Sequence, residues 1–309
     1  ARAEQRLKLL FERIQAFRFR WENKVFTIGA SIGVVALGGE QGSLTDLLKA
    51  ADSGCYLAKN QGRNRYFIVD ADGPELNHLQ QQRQLLSLLH TALDEHRFEL
   101  YAQPIVSLSV PPQGLHLEVL LRLRDSDGAM VSPALFIPLA EQQGLMGLID
   151  RWVIRRVLQQ LAATPAQLPM LDKIAINLSG PSLSDPDLLP FIQQQLQLFA
   201  IPAAKICFEI TETAAITNMA AANRFIDSLR QIGCKFALDD FGVGMSSFAY
   251  LKHLPVDYLK IDGSFVKAMT QNATDAVMVR AMAESALSSG RSLTKLRSIL
   301  SLSSENSRR

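Results

Sequence analysis

Cysteine is scarce in this chain and long apolar runs are missing from it, and both absences narrow the possibilities before any motif is read. The three cysteines, Cys55, Cys207 and Cys234, are an odd number with no CxxC pair among them. That excludes a disulfide framework and a thiolate zinc site, and fits reduced thiols in a cytoplasmic protein. Cys207 and Cys234 lie in apolar stretches, where buried thiols are expected. The five histidines, His78, His90, His96, His116 and His253, show no paired ligand spacing, so zinc held by imidazole is not expected either. No apolar run approaches the roughly 20 residues that cross a bilayer, and the charged, helix-like start is unlike a signal peptide. This segment is therefore expected to make no membrane contact, although a longer parent could be anchored. Excess charge is also lacking. A formal net charge of +2 over 309 residues offers no basic face for a DNA or RNA duplex, so a nucleotide ligand would need a local site. What is present, 48% hydrophobic and 20% charged residues, suits one large or two modest globular domains.

The N-terminal stretch reads as an amphipathic helix with Leu7, Leu10, Phe11 and Ile14 on one face. Two strand-like runs follow, Ala16 to Trp21 and Val25 to Leu37, with Glu22-Asn23-Lys24 as the turn of a hairpin. A second helix is expected from Leu44 to Asn60, with Ser43 as N-cap and Gln61-Gly62 beyond its end. The breaker Asp70-Ala71-Asp72-Gly73-Pro74 then introduces a long helix that opens a new domain.

Beyond it, short apolar runs alternate with longer amphipathic stretches, the pattern of strands feeding crossover helices in a largely parallel α/β fold. The strand candidates are Leu100 to Val106, Leu115 to Arg124, Ile174 to Ser179, Ile206 to Thr211, Phe236 to Asp240 and Tyr258 to Asp262. The run from Lys235 to Leu251 organises the reading: an apolar strand delivers Asp239 and Asp240 into a loop with glycines at 242 and 244. In parallel α/β folds the carboxyl ends of strands hold the chemistry. Two solvated aspartates at a helix start are the plainer alternative.

Other strands repeat the pattern, with Glu118, Asn177, Glu209 and Lys260 as polar intruders in apolar runs and Glu212 just past one of them. Burying one such group costs several kcal/mol unless it is paired or coordinated, so a structural hydrogen bond would explain any one of them. Convergence at one mouth of a barrel explains the set. Carboxylates and an amide oxygen suit Mg2+ or Mn2+ rather than zinc. Two such ions can both activate water and stabilise charge on the oxygens of a phosphodiester.

Glu118-Val119-Leu120 with Arg122 resembles the signature of the EAL domain, with Val in place of the middle Ala. INLS, FEITET, DDFGVG and YLKID follow in that family's order and spacing, from about residue 80 to about residue 285. The resemblance implies a modified TIM barrel that hydrolyses cyclic-di-GMP to linear pGpG with Mg2+ or Mn2+, two ions in all, and a homodimer formed through this domain. It implies Glu118, Asn177, Glu209 and Asp239 as ligands of one ion, and Asp240 as a ligand of a second. It further implies Lys260 as the residue that holds or activates the attacking water, and Glu212 as the anchor of the loop from Asp240 to Ser247. Gln103, Leu120, Arg122 and Asp150 occupy positions similar to those that contact the bases and phosphates. Residues 1–70, through ASIGVVAL and ADSGCYLAKNQGRNRY, resemble the C-terminal half of a GGDEF domain, whose nucleotide site lies upstream of what is present. Gly38-Gly39-Glu40 stands in the wrong place to be that family's motif, so no cyclase activity is expected.

The expected organisation is thus a partial GGDEF fragment at 1–70, a linker at 71–79, an EAL domain at 80–285 and a serine-rich basic tail at 286–309. The resemblance stops near Ser285, where the family continues with a seventh strand bearing a glutamate and an eighth bearing a glutamine. Here the chain reads LSSGRSLTKLRSILSLSSENSRR, and its only acid is Glu305. The barrel is expected to lack two strands, with Leu293 to Leu302 as possible cover for the gap. Two functions follow: a metal-dependent cyclic-di-GMP phosphodiesterase, or a noncatalytic cyclic-di-GMP binder or remnant. A TIM-barrel lyase using the same acids is a more remote alternative.

Overall fold

A computed structural model describes residues 2–22, 24–35, 43–60, 62, 64–69, 74–107, 114–243, 248–268, 272–288, 292–296 and 300–301. The Gly38-Gly39-Glu40 triplet, residue 70 at the end of the first expected fragment, residues 71–73 of the expected linker, residues 244–247 of the expected loop and the tail from 302 lie outside them. The chain forms two compact units, Ala1–Ser87 and Leu88–Arg309.

The first unit holds α1 (Arg2–Ala16), β1 (Arg18–Trp21), β2 (Lys24–Thr27), β3 (Ser31–Val35), α2 (Leu44–Asn60) and β4 (Arg65–Val69). The long second run expected from Val25 to Leu37 is in fact two strands. β2 pairs with β1 in an antiparallel hairpin, while β3 pairs with β4 in parallel, and Ile28-Gly29-Ala30 breaks the extension between them. α2 lies directly on β3 because both present glycine at the crossing. A Cβ on Gly33 would fall 1.9 Å from the Ala51 carbonyl oxygen, and one on Gly54 would fall 2.9 Å from the Gly33 Cα. The expected stripe on α1 is partly covered: Phe11 meets Tyr66 edge-on at 5.8 Å, whereas Leu10 is 52% exposed.

Helix α3 (Pro74–Ala92) runs from the first unit across the boundary after Ser87, and the second unit continues with β5 (Phe98–Ser107), β6 (Leu115–Arg124), β7 (Met130–Val131), α4 (Pro133–Gln142) and α5 (Met146–Ala163). Then come β8 (Leu171–Asn177), α6 (Leu188–Phe199), β9 (Ile206–Thr211), α7 (Glu212–Thr217), α8 (Met219–Gln231), β10 (Lys235–Phe241) and β11 (Tyr258–Ile261). The last elements are α9 (Gly263–Ala268), α10 (Ala273–Ser288), β12 (Ser292–Leu296) and β13 (Leu300–Ser301). All six strand candidates are strands. β6, β8, β9, β10 and β11 run parallel in that order, and β5 pairs antiparallel with β6.

The gap expected from the missing seventh and eighth strands is bridged by tail backbone. β12 runs parallel to β11 through Tyr258↔Ser292 and Leu259↔Leu293, and antiparallel to β5 from Thr294↔Ser107 to Leu296↔Ile105. The ring therefore closes, and β13 adds to β5 at Ala102 and Tyr101. The physical reason is general: unpaired edge groups on β11 and β5 are costly when covered, and any extended backbone can satisfy them.

Strand alternation sorts the side chains. Ile174, Ile176, Phe208, Ile210, Phe236 and Leu238 are buried on the outward side, against helix residues such as Ile154, Phe225 and Ile226. Phe236 meets Phe208 at 5.8 Å and Phe225 at 6.3 Å, and each such burial contributes about 2 kcal/mol. The inward positions are small: Ala175, Cys207 and Ala237 cluster with Ile105, and Tyr258 packs against them. The residues two further along on the same faces are Asn177, Glu209, Asp239 and Lys260, respectively.

Candidate active site

Five parallel strands each contribute one side chain to the site. Glu118 comes from β6, Asn177 from β8, Glu209 from β9, Asp239 from β10 and Lys260 from β11. The Lys260 Nζ donates to Glu209 Oε2 at 2.6 Å, to Glu118 Oε2 at 3.0 Å and to Asp239 Oδ2 at 3.1 Å. Asn177 Nδ2 donates to Glu118 Oε1 at 3.2 Å. Oxygens of Glu118, Glu209 and Asp239 all lie within 4.8 Å of one another. Glu118 and Lys260 are each 5% exposed and Glu209 is 1% exposed, so water screens these charges poorly.

Burial raises the pKa of Glu209, the Lys260 ammonium pulls it down and the Glu118 and Asp239 charges raise it again, leaving it at about 8. For Lys260, burial works to lower the pKa, but Glu209, Asp239 and Glu118 outweigh it and hold the ammonium charged. Three acids face one fixed cation, so the cluster has room for more positive charge. Its donors are hard oxygens, which fit a divalent ion such as Mg2+ or Mn2+. Of the expected ligands, Asp240 is not among the convergent acids. It is exposed, sits at a left-handed φ of +54°, and has its carboxyl pKa raised by burial and by the charges of Asp239 and Asp262.

The expected substrate contacts lie around this centre. Gln103 stands opposite Glu118 in the β5–β6 register, and Leu120 stands opposite Tyr101. Arg122 shares the inward face of β6; its guanidinium lies 5.5 Å over the Tyr101 ring and donates to the Leu121 carbonyl at 2.8 Å. Asp150 on α5 is 3% exposed. Its Oδ2 accepts from Ser179 Oγ at 2.7 Å, Ser179 N at 3.0 Å and Ser182 Oγ at 2.6 Å, so it braces the turn that follows Asn177. Glu212, at the start of α7, accepts from Gly242 N at 2.9 Å and from Tyr250 Oη at 2.6 Å.

The EAL-domain family profile matches residues 87–294. The chain belongs to the EAL-domain family. Over 278 residues it is 38% identical to the cyclic di-GMP phosphodiesterase PdeB of Shewanella oneidensis, covering 90% of this chain and 32% of that protein. It is 32% identical over 256 residues to the bifunctional diguanylate cyclase/cyclic di-GMP phosphodiesterase MucR of Pseudomonas aeruginosa, covering 82% of this chain and 37% of that one. The chain thus spans about a third of the length of these curated relatives. Among solved structures, the FimX EAL domain of Pseudomonas aeruginosa bound to c-di-GMP superposes with a TM-score of 0.62 at 32% identity, covering 68% of this chain and 83% of that one. The EAL fold is accordingly the fold of the second unit. No described helix of the chain is long and apolar enough to cross a membrane.

Two groups of residues in this EAL domain were not singled out by sequence. Ser179 and Ser182 hold Asp150, and Tyr250 shares Glu212 with Gly242. A serine two residues past a candidate ligand carries no periodicity, and a tyrosine in SSFAYLKHL reads as ordinary packing. The small residues two positions before Asn177, Glu209 and Asp239 were the one visible signal, since they leave room for the polar groups beyond them.

Proposed function

We propose that this chain is a metal-dependent phosphodiesterase that hydrolyses cyclic-di-GMP to linear pGpG in second-messenger signalling in the cytoplasm. The observation that carries the reading is the convergence of Glu118, Glu209 and Asp239 from three strands on one buried point. Glu118, Asn177, Glu209 and Asp239 would hold one Mg2+ or Mn2+, and Asp240 a second. Such ions polarise the phosphodiester and make bound water acidic. Lys260, whose three N–H groups are held by the three acids, would orient the attacking water once an ion takes up those acids; that oxygen bonds to phosphorus as the bond to the ribose 3′ oxygen breaks, and a proton ends on the leaving oxygen. Arg122, Gln103 and Leu120 would receive the phosphates and bases, with the Arg122 fork suited to phosphate oxygens, while Asp150, buried against Ser179 and Ser182, would support the substrate site through the turn after Asn177. Glu212 would hold the loop after Asp240, and a second copy would pair through this domain. We read residues 1–70 as similar to the C-terminal part of a GGDEF domain.

The test is product analysis. Incubation with cyclic-di-GMP and Mn2+ or Mg2+ should yield pGpG, and chelation should stop it. Absence of product at high protein concentration would overturn hydrolysis. Retained binding of cyclic-di-GMP in calorimetry would then support the receptor reading, which the replaced seventh strand favours.

A further inference from the structure

Glu212 is buried, at 2% exposure, and its two carboxylate oxygens are engaged by opposite ends of the segment that follows the proposed ligands. Oε2 takes the Gly242 N–H at 2.9 Å and Oε1 takes the Tyr250 hydroxyl at 2.6 Å. We propose that Tyr250 is a positioning residue which, through Glu212, fixes the turn that presents Asp239 and Asp240. The proposal rests on the metal-site reading above.

The turn needs an outside hold. Asp240 and Gly242 both adopt left-handed φ angles, +54° and +106°, and for the aspartate that conformation costs on the order of 1 kcal/mol. The turn also sets the proposed ligand directly, because the Asp240 amide donates to Asp239 Oδ1 at 3.0 Å. A rotation of the peptide between Asp239 and Asp240 would therefore carry the Asp239 carboxylate with it. On its far side the turn is packed tight: a Cβ on Gly242 would fall 2.5 Å from Met282 Cε and 3.1 Å from Phe265 Cε2. The short bond from Tyr250 restricts rotation of the Glu212 carboxylate. Burial and the Glu212 charge raise the Tyr250 pKa, so the phenol keeps its proton as a donor.

The chemistry of the clamp makes it testable, because a carboxylate accepts two donors whereas a glutamine amide offers one acceptor and one donor. Glu212→Gln can keep both contacts only by accepting from the Gly242 amide with its oxygen and donating its NH2 to the Tyr250 oxygen, which reverses the Tyr250 bond and removes the charge that held it. Manganese binding by the whole chain should be measured calorimetrically, alongside the thermal midpoint, for wild type, Tyr250→Phe, Glu212→Gln and the double variant. Tyr250→Phe should weaken Mn2+ binding about 10-fold, as loss of a supporting hydrogen bond does at metal sites, with an unchanged thermal midpoint. In the double variant the glutamine oxygen is free to serve Gly242, so it should bind no worse than Glu212→Gln alone. Wild-type affinity in Tyr250→Phe, additive losses in the double variant, or a loss of affinity that merely follows a lower midpoint would each overturn the proposal. Failure of the wild type itself to bind Mn2+ would instead overturn the metal-site reading beneath it.

Discussion

Two lysines enter the same barrel, and they differ in where their partners come from. Lys260 near the mouth is bonded by Glu118, Glu209 and Asp239, which belong to three different strands. Lys173, lower on β8, pairs with its own neighbour Asp172 at 2.7 Å and lies 5.4 Å over the Tyr258 ring. Burial lowers the Lys173 pKa, but Asp172 and Tyr258 more than restore it, so both lysines stay charged. Neutralising a cation needs one acid next door. Gathering three acids around one, at a desolvation cost of several kcal/mol each, exceeds what neutralising that cation requires and leaves a cluster that could hold a further cation. His116, on the inward face of β6, belongs to the lower region with Lys173: burial pushes it down to about 4, and its Nε2 has no hydrogen-bond partner.

The sharpest way to break this contrast is to remove the acids. Glu209→Ala or Asp239→Ala should lower metal-dependent turnover at least about 100-fold, whereas Asp172→Ala should leave it within about 2-fold; equal effects in a product assay would dissolve the distinction. Removing the lysines comes next. Lys260→Met strands three buried or half-buried carboxylates and should cost about 3 kcal/mol in urea denaturation, a loss that Mn2+ should largely restore. Lys173→Met should cost about 1 kcal/mol and be insensitive to Mn2+. The smallest expected effect concerns an acid with hydroxyl partners and no bonded cation. Burial raises the Asp150 pKa above its ordinary value, against the opposing pull of Ser182 and Ser179. Its contribution to stability is therefore intact below the unfolded pKa and is lost as pH rises through the folded one. Asp150→Asn should flatten that decline, so the stability gap between wild type and variant should narrow as pH rises from 4 to 7. A gap that widens would reverse the sign of the shift.

The site strands were legible because period-two alternation exposed Glu118, Asn177, Glu209, Asp239 and Lys260 as polar intruders in apolar runs. The motif order then named the barrel that brings them together. Three features were not legible. The run from Val25 was read as one strand because its apolar character continues across Gly29, whereas strand pairing is decided by partners at a distance. The stretch from Leu293 to Leu302 was read only as possible cover for the gap, with no strand bounds, because SLTKL carries no acid and little alternation; the place of β12 comes from the open edges of β5 and β11 rather than from its own composition. The roles of Ser179, Ser182 and Tyr250 depend on hydrogen bonds between segments far apart in sequence, which no local pattern encodes.

The cluster of Ala175, Cys207 and Ala237 lies one inward step below Asn177, Glu209 and Asp239. It acts as a floor whose height sets the level of the acids above it. A single added branch there, such as Ala237→Val, would lift one acid out of line without touching its charge. The precision of the upper layer is thus an inheritance from three side chains that have almost nothing to offer chemically.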